Sequence, residues 1–240
     1  MRNYQTEFLK FRLKRTLEKY PGLYMAVARN YAALRRDQSG RVLNNKSVVC
    51  IEGFPRCASS FAWHAFIKYT GLENNIATHL HSSAQIIAAV DAKIPTIVTI
   101  RHPKKCITSL QALSLQYQGD LDKPLIYPLP YDLNWYISFY ESLLSIKDQI
   151  VIADFDETIN NFSAILNRLN KMHGSPFQLS EQINDQELSA VILEESKDQG
   201  HLGPNENRDA IKKELSQNYD NAPFQDLKEK AEEVYREFIS

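Results

Sequence analysis

The sequence predicts an α/β fold: a mostly parallel central sheet between two helical layers, with helical extensions at both ends. Three observations carry this. Short β-rich runs alternate with helical patterns along residues 47–173, which is the signature of βαβ units. Each run is followed by turn-forming or helix-opening residues. At 240 residues the chain is also long enough for one sizeable core, and 43% hydrophobic with 24% charged residues excludes general disorder.

The elements follow in order. Residues 5–20 and 23–36 read as two helices broken by Pro21-Gly22, with Leu9, Leu13, Leu17 and Tyr20 as the expected buried stripe of the first. A polar turn leads to the strand Ser47–Phe54 and a helix from about Ser60 to Thr70. Further strands are expected at Asn75–Thr78, Thr96–Ile100 and Ile150–Ala153, with helices at about 83–92, 104–116, 132–147 and 158–173. Residues 118–131 form a proline-punctuated connection and a candidate lid, rich in tyrosine. Trp135, Phe139 and Leu143, at helical spacing, are expected in the core. The last 60 residues read as polar helices interrupted by Gly200-His-Leu-Gly-Pro204. This divides the chain into a basic helical extension, 1–46, and a main domain, 47–240.

Charge is unevenly spread. Residues 1–46 carry eleven Lys/Arg against three Asp/Glu, so that segment is +8 and the remainder −9 in a chain of net −1. A basic arm suits an acidic partner, a membrane surface or nucleic acid, or is a solvated amphipathic helix; no nucleic-acid motif accompanies it. No apolar run approaches the roughly 20 residues that span a bilayer. The charged start MRNYQTEFLKFRLKR lacks the apolar stretch of a secretory signal, so a cytoplasmic location is expected. Cys50, Cys57 and Cys106 lack metal-type spacing and read as free thiols of a reducing compartment.

Ligands of parallel sheets bind beyond the carboxyl ends of the strands, and three strand ends carry chemistry. Gly53-Phe-Pro-Arg-Cys-Ala-Ser-Ser-Phe61 joins a strand to a helix. Its backbone N–H groups can converge on an anion at the helix start, with Arg56 adding a charge and Ser59 and Ser60 hydroxyls. It is not the G-x-x-x-x-G-K-[ST] loop of nucleoside triphosphatases. Arg101-His-Pro-Lys-Lys-Cys-Ile-Thr-Ser109 follows another strand, where Arg101 and Ser109 can grip one phosphate from two sides. Between them Thr78-His79-Leu80-His81 ends a short strand, and a histidine there is suited to proton transfer.

Together these segments resemble the PAPS-dependent sulfotransferase family, which uses 3′-phosphoadenosine-5′-phosphosulfate as sulfonate donor. Phe54-Pro-Arg-Cys-Ala-Ser-Ser-Phe61 is similar to its 5′-phosphosulfate loop, P-[KR]-[ST]-G-T-T-[WL]. Arg101 and Ser109 fall on the Arg…Ser pair of its 3′-phosphate motif at the same interval. Thr78-His79-Leu80 resembles the T-H-[LFM] of the cytosolic branch. Val151–Glu157 is similar to the later strand ending in Tyr-Glu-Asp, with Phe155 at the aromatic place. The resemblance covers roughly residues 47–173.

It implies a P-loop NTPase-like sulfotransferase fold and transfer of sulfonate to a hydroxyl or amine of a small-molecule, lipid or carbohydrate acceptor. His79 would be the general base and Arg56 the group at the transferring sulfonate. Donor contacts would come from Arg56, Cys57, Ala58, Ser59, Ser60, Phe61 (beside the adenine), Arg101, Ser109 and, more remotely, Arg208. No metal, nucleic acid or integral membrane association is implied, and a homodimer is compatible. Two departures stand out: Ala58 replaces the loop glycine, which matters if φ is positive there, and Cys57 replaces Ser or Thr. The rivals are a P-loop kinase-like enzyme using Asp154 for Mg²⁺, and a catalytically silent homologue that binds a nucleotide or a protein.

Overall fold

A computed structural model describes residues 4–35, 40–118, 127–174, 177–178, 184–195 and 206–240. Two helices, α1 (Tyr4–Glu18) and α2 (Pro21–Leu34), lead into β1 (Val49–Gly53), α3 (Ser59–Thr70), β2 (Ile76–Thr78), α4 (Ser83–Asp91), β3 (Thr96–Ile100) and α5 (Pro103–Gln118). Then come α6 (Leu129–Glu141), a 3₁₀ turn (Leu144–Gln149), β4 (Val151–Asp154), α7 (Phe155–Asn160) and α8 (Phe162–His173). The chain closes with α9 (Asp185–Glu195), α10 (Glu206–Asn221) and α11 (Gln225–Ile239). The predicted α/β class holds.

All four strands are parallel, in the order β2-β1-β3-β4. Both faces are covered, so β1 and β3 are buried along their whole length, as a parallel sheet requires. Alternation divides the core. Val49, Ile51, Ile97, Val151 and Ala153 face one layer with Phe66, Phe162 and Leu166. Val98 and Ile100 face the other, against Tyr136, Tyr140 and Phe238.

Local chemistry fixes the boundaries. Pro21 opens α2 where its missing N–H costs nothing. Gly71, at φ +69°, closes α3. Asp154 caps α7 by accepting from the Asp156 amide at 3.0 Å. The predicted helix over 158–173 is two helices broken at Asn161.

Two expectations need correction. Leu9, Leu13 and Tyr20 are 66%, 60% and 63% exposed, so of the expected stripe only Leu17 packs against the core. The helix buries Phe11 and Glu18 instead: Phe11 stacks on Tyr127 and meets Trp135 edge-on, and Glu18 pairs with Arg15. Aromatic and ionic partners outweigh aliphatic area. The C-terminal helices are likewise more than a polar extension, because α11 buries Ala231, Val234 and Phe238, with Phe238 against the Tyr140 ring at 5.0 Å. Trp135, Phe139 and Leu143 lie in the core as expected.

At the end of β1, Gly53 is paired with Thr99 of β3, and the backbones approach so closely that a Cβ would overlap Thr99 Oγ1 and lie 2.6 Å from the Thr99 carbonyl oxygen. A backbone atom cannot step aside as a side-chain tip can. Gly53→Ala is therefore expected to destabilise the chain by about 3 kcal/mol or more, beyond the usual cost of overpacking. A urea midpoint equal to the parent's would contradict the packing described.

Candidate functional site

The strand order places the crevice. β1 connects to β2 on one side, while β3 and β4 extend on the other, so the direction of winding reverses between β1 and β3. The carboxyl ends of that pair are where parallel sheets bind ligands. The loop after β1 carries Arg56 to Ser60, and the loop after β3 carries Arg101.

The first loop takes an unusual path. Arg56 and Ala58 have φ of +72° and +69°, and Ala58 (ψ 20°) is the left-handed residue immediately before α3. The conformation expected to demand glycine is thus adopted by alanine, at roughly 1–2 kcal/mol. Buried contacts hold it there. The Cys106 thiol donates to the Pro55 carbonyl at 3.0 Å, and the two sulfurs Cys57 and Cys106 lie 3.3 Å apart. Both cysteines are free and fully buried, and burial pushes the Cys106 thiol up, which makes Cys106 an unreactive anchor. The Tyr140 hydroxyl donates to the Thr99 carbonyl at 2.8 Å and accepts from the Phe54 amide at 3.4 Å, bridging the two strand ends. Cys57 therefore serves packing at a position where a hydroxyl would need partners.

The two loops are in contact. Arg56 Nε donates to Ser109 Oγ at 3.2 Å, and Arg101 Nη1 approaches the Arg56 carbonyl at 3.4 Å. Arg101's guanidinium also lies over the Phe155 ring, 3.8 Å from its centroid, and its carbonyl accepts from the Tyr136 hydroxyl at 2.8 Å. Two cations and a buried hydroxyl thus meet beyond one strand pair, beside the start of α3. That is a strong anion site in chemical terms.

The third strand end joins the same group. Ser60 Oγ lies 2.9 Å from His79 Nε2, and His79 Nδ1 lies 3.0 Å from Thr78 Oγ1. The proton positions follow from hydroxyl valence. Thr78 Oγ1 spends its one proton on the Ile51 carbonyl at 2.7 Å, so toward His79 it accepts. Nδ1 then carries the imidazole proton, and Nε2 presents its lone pair to the Ser60 hydroxyl. Burial first, then the nearby Arg41 and His64, push the His79 pKa down to about 4. The ring is neutral at pH 7, as a base must be.

A buried polar network that the sequence reading passed over supports this loop. Glu52 is fully buried in β1; it accepts from the Leu80 amide and Gln85 Nε2, each at 2.8 Å, and from the His81 amide at 3.1 Å. Burial raises its pKa to about 7. His81 Nδ1 donates to the Gly53 carbonyl at 2.8 Å, and its pKa is driven down to about 3, again chiefly by burial. Lys14 reaches across from α1 to the Leu80 carbonyl. Both histidines hold positive φ, 60° and 48°. Six non-glycine residues among those described have positive φ, and four of them are in these two loops. Such clustering marks a site whose shape is imposed by its surroundings. The signal in the sequence was a glutamate inside an apolar strand.

Other candidates are mostly buried. Ser59 is buried at the start of α3. Phe61 is 6% exposed and belongs to the core beneath the sheet, so it offers a ligand little surface. Arg208 is buried on α10, its Nε donating to Gln116 of α5 at 3.0 Å. The glycines of 200–205 and residues 119–126 of the candidate lid lie outside the described residues. Asp154, the Mg²⁺ ligand of the kinase reading, instead caps α7 and accepts from the Tyr235 hydroxyl at 2.8 Å. A cleft of about 390 Å³ opens between α1 and α6, lined by Phe11, Arg15, Trp135 and Phe139 among others. The converging cations and the helix start lie instead beyond β1 and β3.

No family model matches the chain, nor does any curated protein or solved structure.

Two outcomes are expected. Ala58→Gly should raise stability by about 1 kcal/mol by removing left-handed strain; a lower melting temperature would contradict that backbone. Because His79 resists protonation in the folded chain, the unfolded chain binds more protons between pH 6.5 and about 4, and stability is lost as pH falls through that window. His79→Gln should remove up to about 1.4 kcal/mol per pH unit of that loss. A histidine titration placing His79 near 6.5 in the native chain would contradict its burial.

Proposed function

We propose that the chain is a sulfotransferase of the PAPS-dependent kind, with the P-loop NTPase-like fold of that family, moving sulfonate to an acceptor hydroxyl or amine. The observation that carries the reading is the joining of Arg56, Ser109 and Arg101 across one crevice. A nucleotide with phosphates at both ends of its ribose needs two adjacent anion sites of this kind. Arg101 and Ser109 would take the 3′-phosphate, and the amides and hydroxyls of Ser59 and Ser60 the 5′-phosphate.

The chemistry needs positioning and charge stabilisation more than covalent help. As the acceptor oxygen attacks sulfur, its proton passes to His79 Nε2. The bond from sulfur to the bridging oxygen breaks, and Arg56 meets the charge that grows there. Nε2 is met by the Ser60 hydroxyl. A 5′-phosphate that draws this hydroxyl away frees the base, and its charge raises the His79 pKa from about 4 toward working pH. Thr78 keeps the proton on Nδ1 and so holds the productive tautomer.

Ala58 favours a silent homologue as the second reading; the left-handed loop it nonetheless adopts weighs against it. The test is transfer of label from PAPS to a panel of sugars, phenols, sterols and peptides. His79→Ala is expected to lower transfer at least about 100-fold while still binding the product nucleotide. Nucleotide binding with no transfer to any acceptor would leave the silent reading, and metal-dependent ATP turnover would favour the kinase.

A further inference from the structure

Most of the stripe that periodicity reads as the buried face of α1 is exposed. Leu9, Leu13 and Tyr20 point away from the core, and α2 repeats the pattern. Leu23, Val27, Tyr31 and Leu34, spaced four, four and three residues apart, are 54%, 48%, 58% and 85% exposed. Each helix thus carries exposed apolar side chains, and exposed Tyr20 lies between the two helices. Isolated exposed leucines are ordinary, but seven large apolar side chains on two consecutive helices are not.

The exposed charges among the described side chains around these stripes are positive. Arg12, Lys19, Arg29 and Arg35 are exposed on the same two helices, whereas Glu18 is buried against Arg15. No carboxylate is exposed among the described side chains of residues 4–35. A second copy of the chain would bring like charge against like, which disfavours self-association through this face. An anionic partner with an apolar interior satisfies both features at once. Leucine and tyrosine beside lysine and arginine, on helices too short and polar to cross a bilayer, make the pattern of a helix lying in the lipid interface.

We propose that the α1–α2 pair is a docking surface for an anionic lipid membrane, its apolar stripes entering the acyl boundary and its cations facing the headgroups. This does not depend on the sulfotransferase reading. It places the chain on a membrane surface rather than through it.

The test is co-sedimentation of the full chain with vesicles of phosphatidylcholine alone and of phosphatidylcholine with phosphatidylglycerol. Binding is expected only to the mixed vesicles, falling as salt screens the charges. Leu13→Gln, Leu23→Gln and Val27→Gln combined keep every charge and are expected to weaken binding at least about tenfold. Arg12→Gln, Lys19→Gln and Arg35→Gln combined should do the same through charge alone. All six sites are exposed, and unchanged circular dichroism would confirm that both variants fold. Equal binding to both vesicle types, or an apolar variant that binds like the parent, overturns the proposal. So does sedimentation velocity showing a dimer that the apolar variant abolishes, which would make this face a protein interface.

Discussion

The arrangement rests on one close approach, where Gly53 ends β1 against Thr99 of β3. Two parallel strands that meet this tightly bring their following loops to the same place, and winding that reverses between them leaves a crevice there. The two arginines beyond the sheet are placed by that geometry. Arg56 and Arg101 belong to different loops, yet the second touches the backbone of the first. A side chain at residue 53 would force the strand ends apart and disperse the cations.

The loops are then held in shapes they would not choose. Left-handed backbone at Arg56, Ala58, His79 and His81 costs on the order of 1 kcal/mol each, and buried bonds offset it. On one side are Tyr140, Cys57 and Cys106; on the other, Glu52 accepts three hydrogen bonds under the loop that carries His79. Burial gives the same residues their electrostatic character. It leaves the carboxyl of Glu52 half-neutral near pH 7 and both imidazoles unprotonated. Thr78 then selects which nitrogen of His79 is free, so a backbone carbonyl of β1 ultimately sets the tautomer of the candidate base.

Much of this was legible in the sequence, for physical reasons. Strands buried on both faces read as short apolar runs, and all four fall within two residues of expectation at each end. The strand-end motifs at Arg56, His79 and Arg101 are local, so their positions followed from the runs preceding them. What was hidden depends on contacts distant in the chain. Strand order is absent from periodicity, so only the fold brings residues 56 and 109 together. Leu9, Leu13 and Tyr20 form a sound amphipathic stripe, but periodicity says that a face is apolar, not what covers it. Phe238 joins the core because Tyr140 is opposite, a pairing across 98 positions of sequence. Arg208 is expected near a phosphate from its neighbours in sequence, and the fold sets its Nε on Gln116.

The central claim is that the crevice between β1 and β3 clasps a nucleotide by two separate phosphates. Calorimetry comparing 3′-phosphoadenosine 5′-phosphate with adenosine 5′-monophosphate tests it without any acceptor. The account predicts much tighter binding of the bisphosphate, and loss of that difference in Arg101→Ala, which leaves the 5′ site in place. Equal affinity for the two nucleotides in the parent chain, or discrimination that survives in Arg101→Ala, would contradict it.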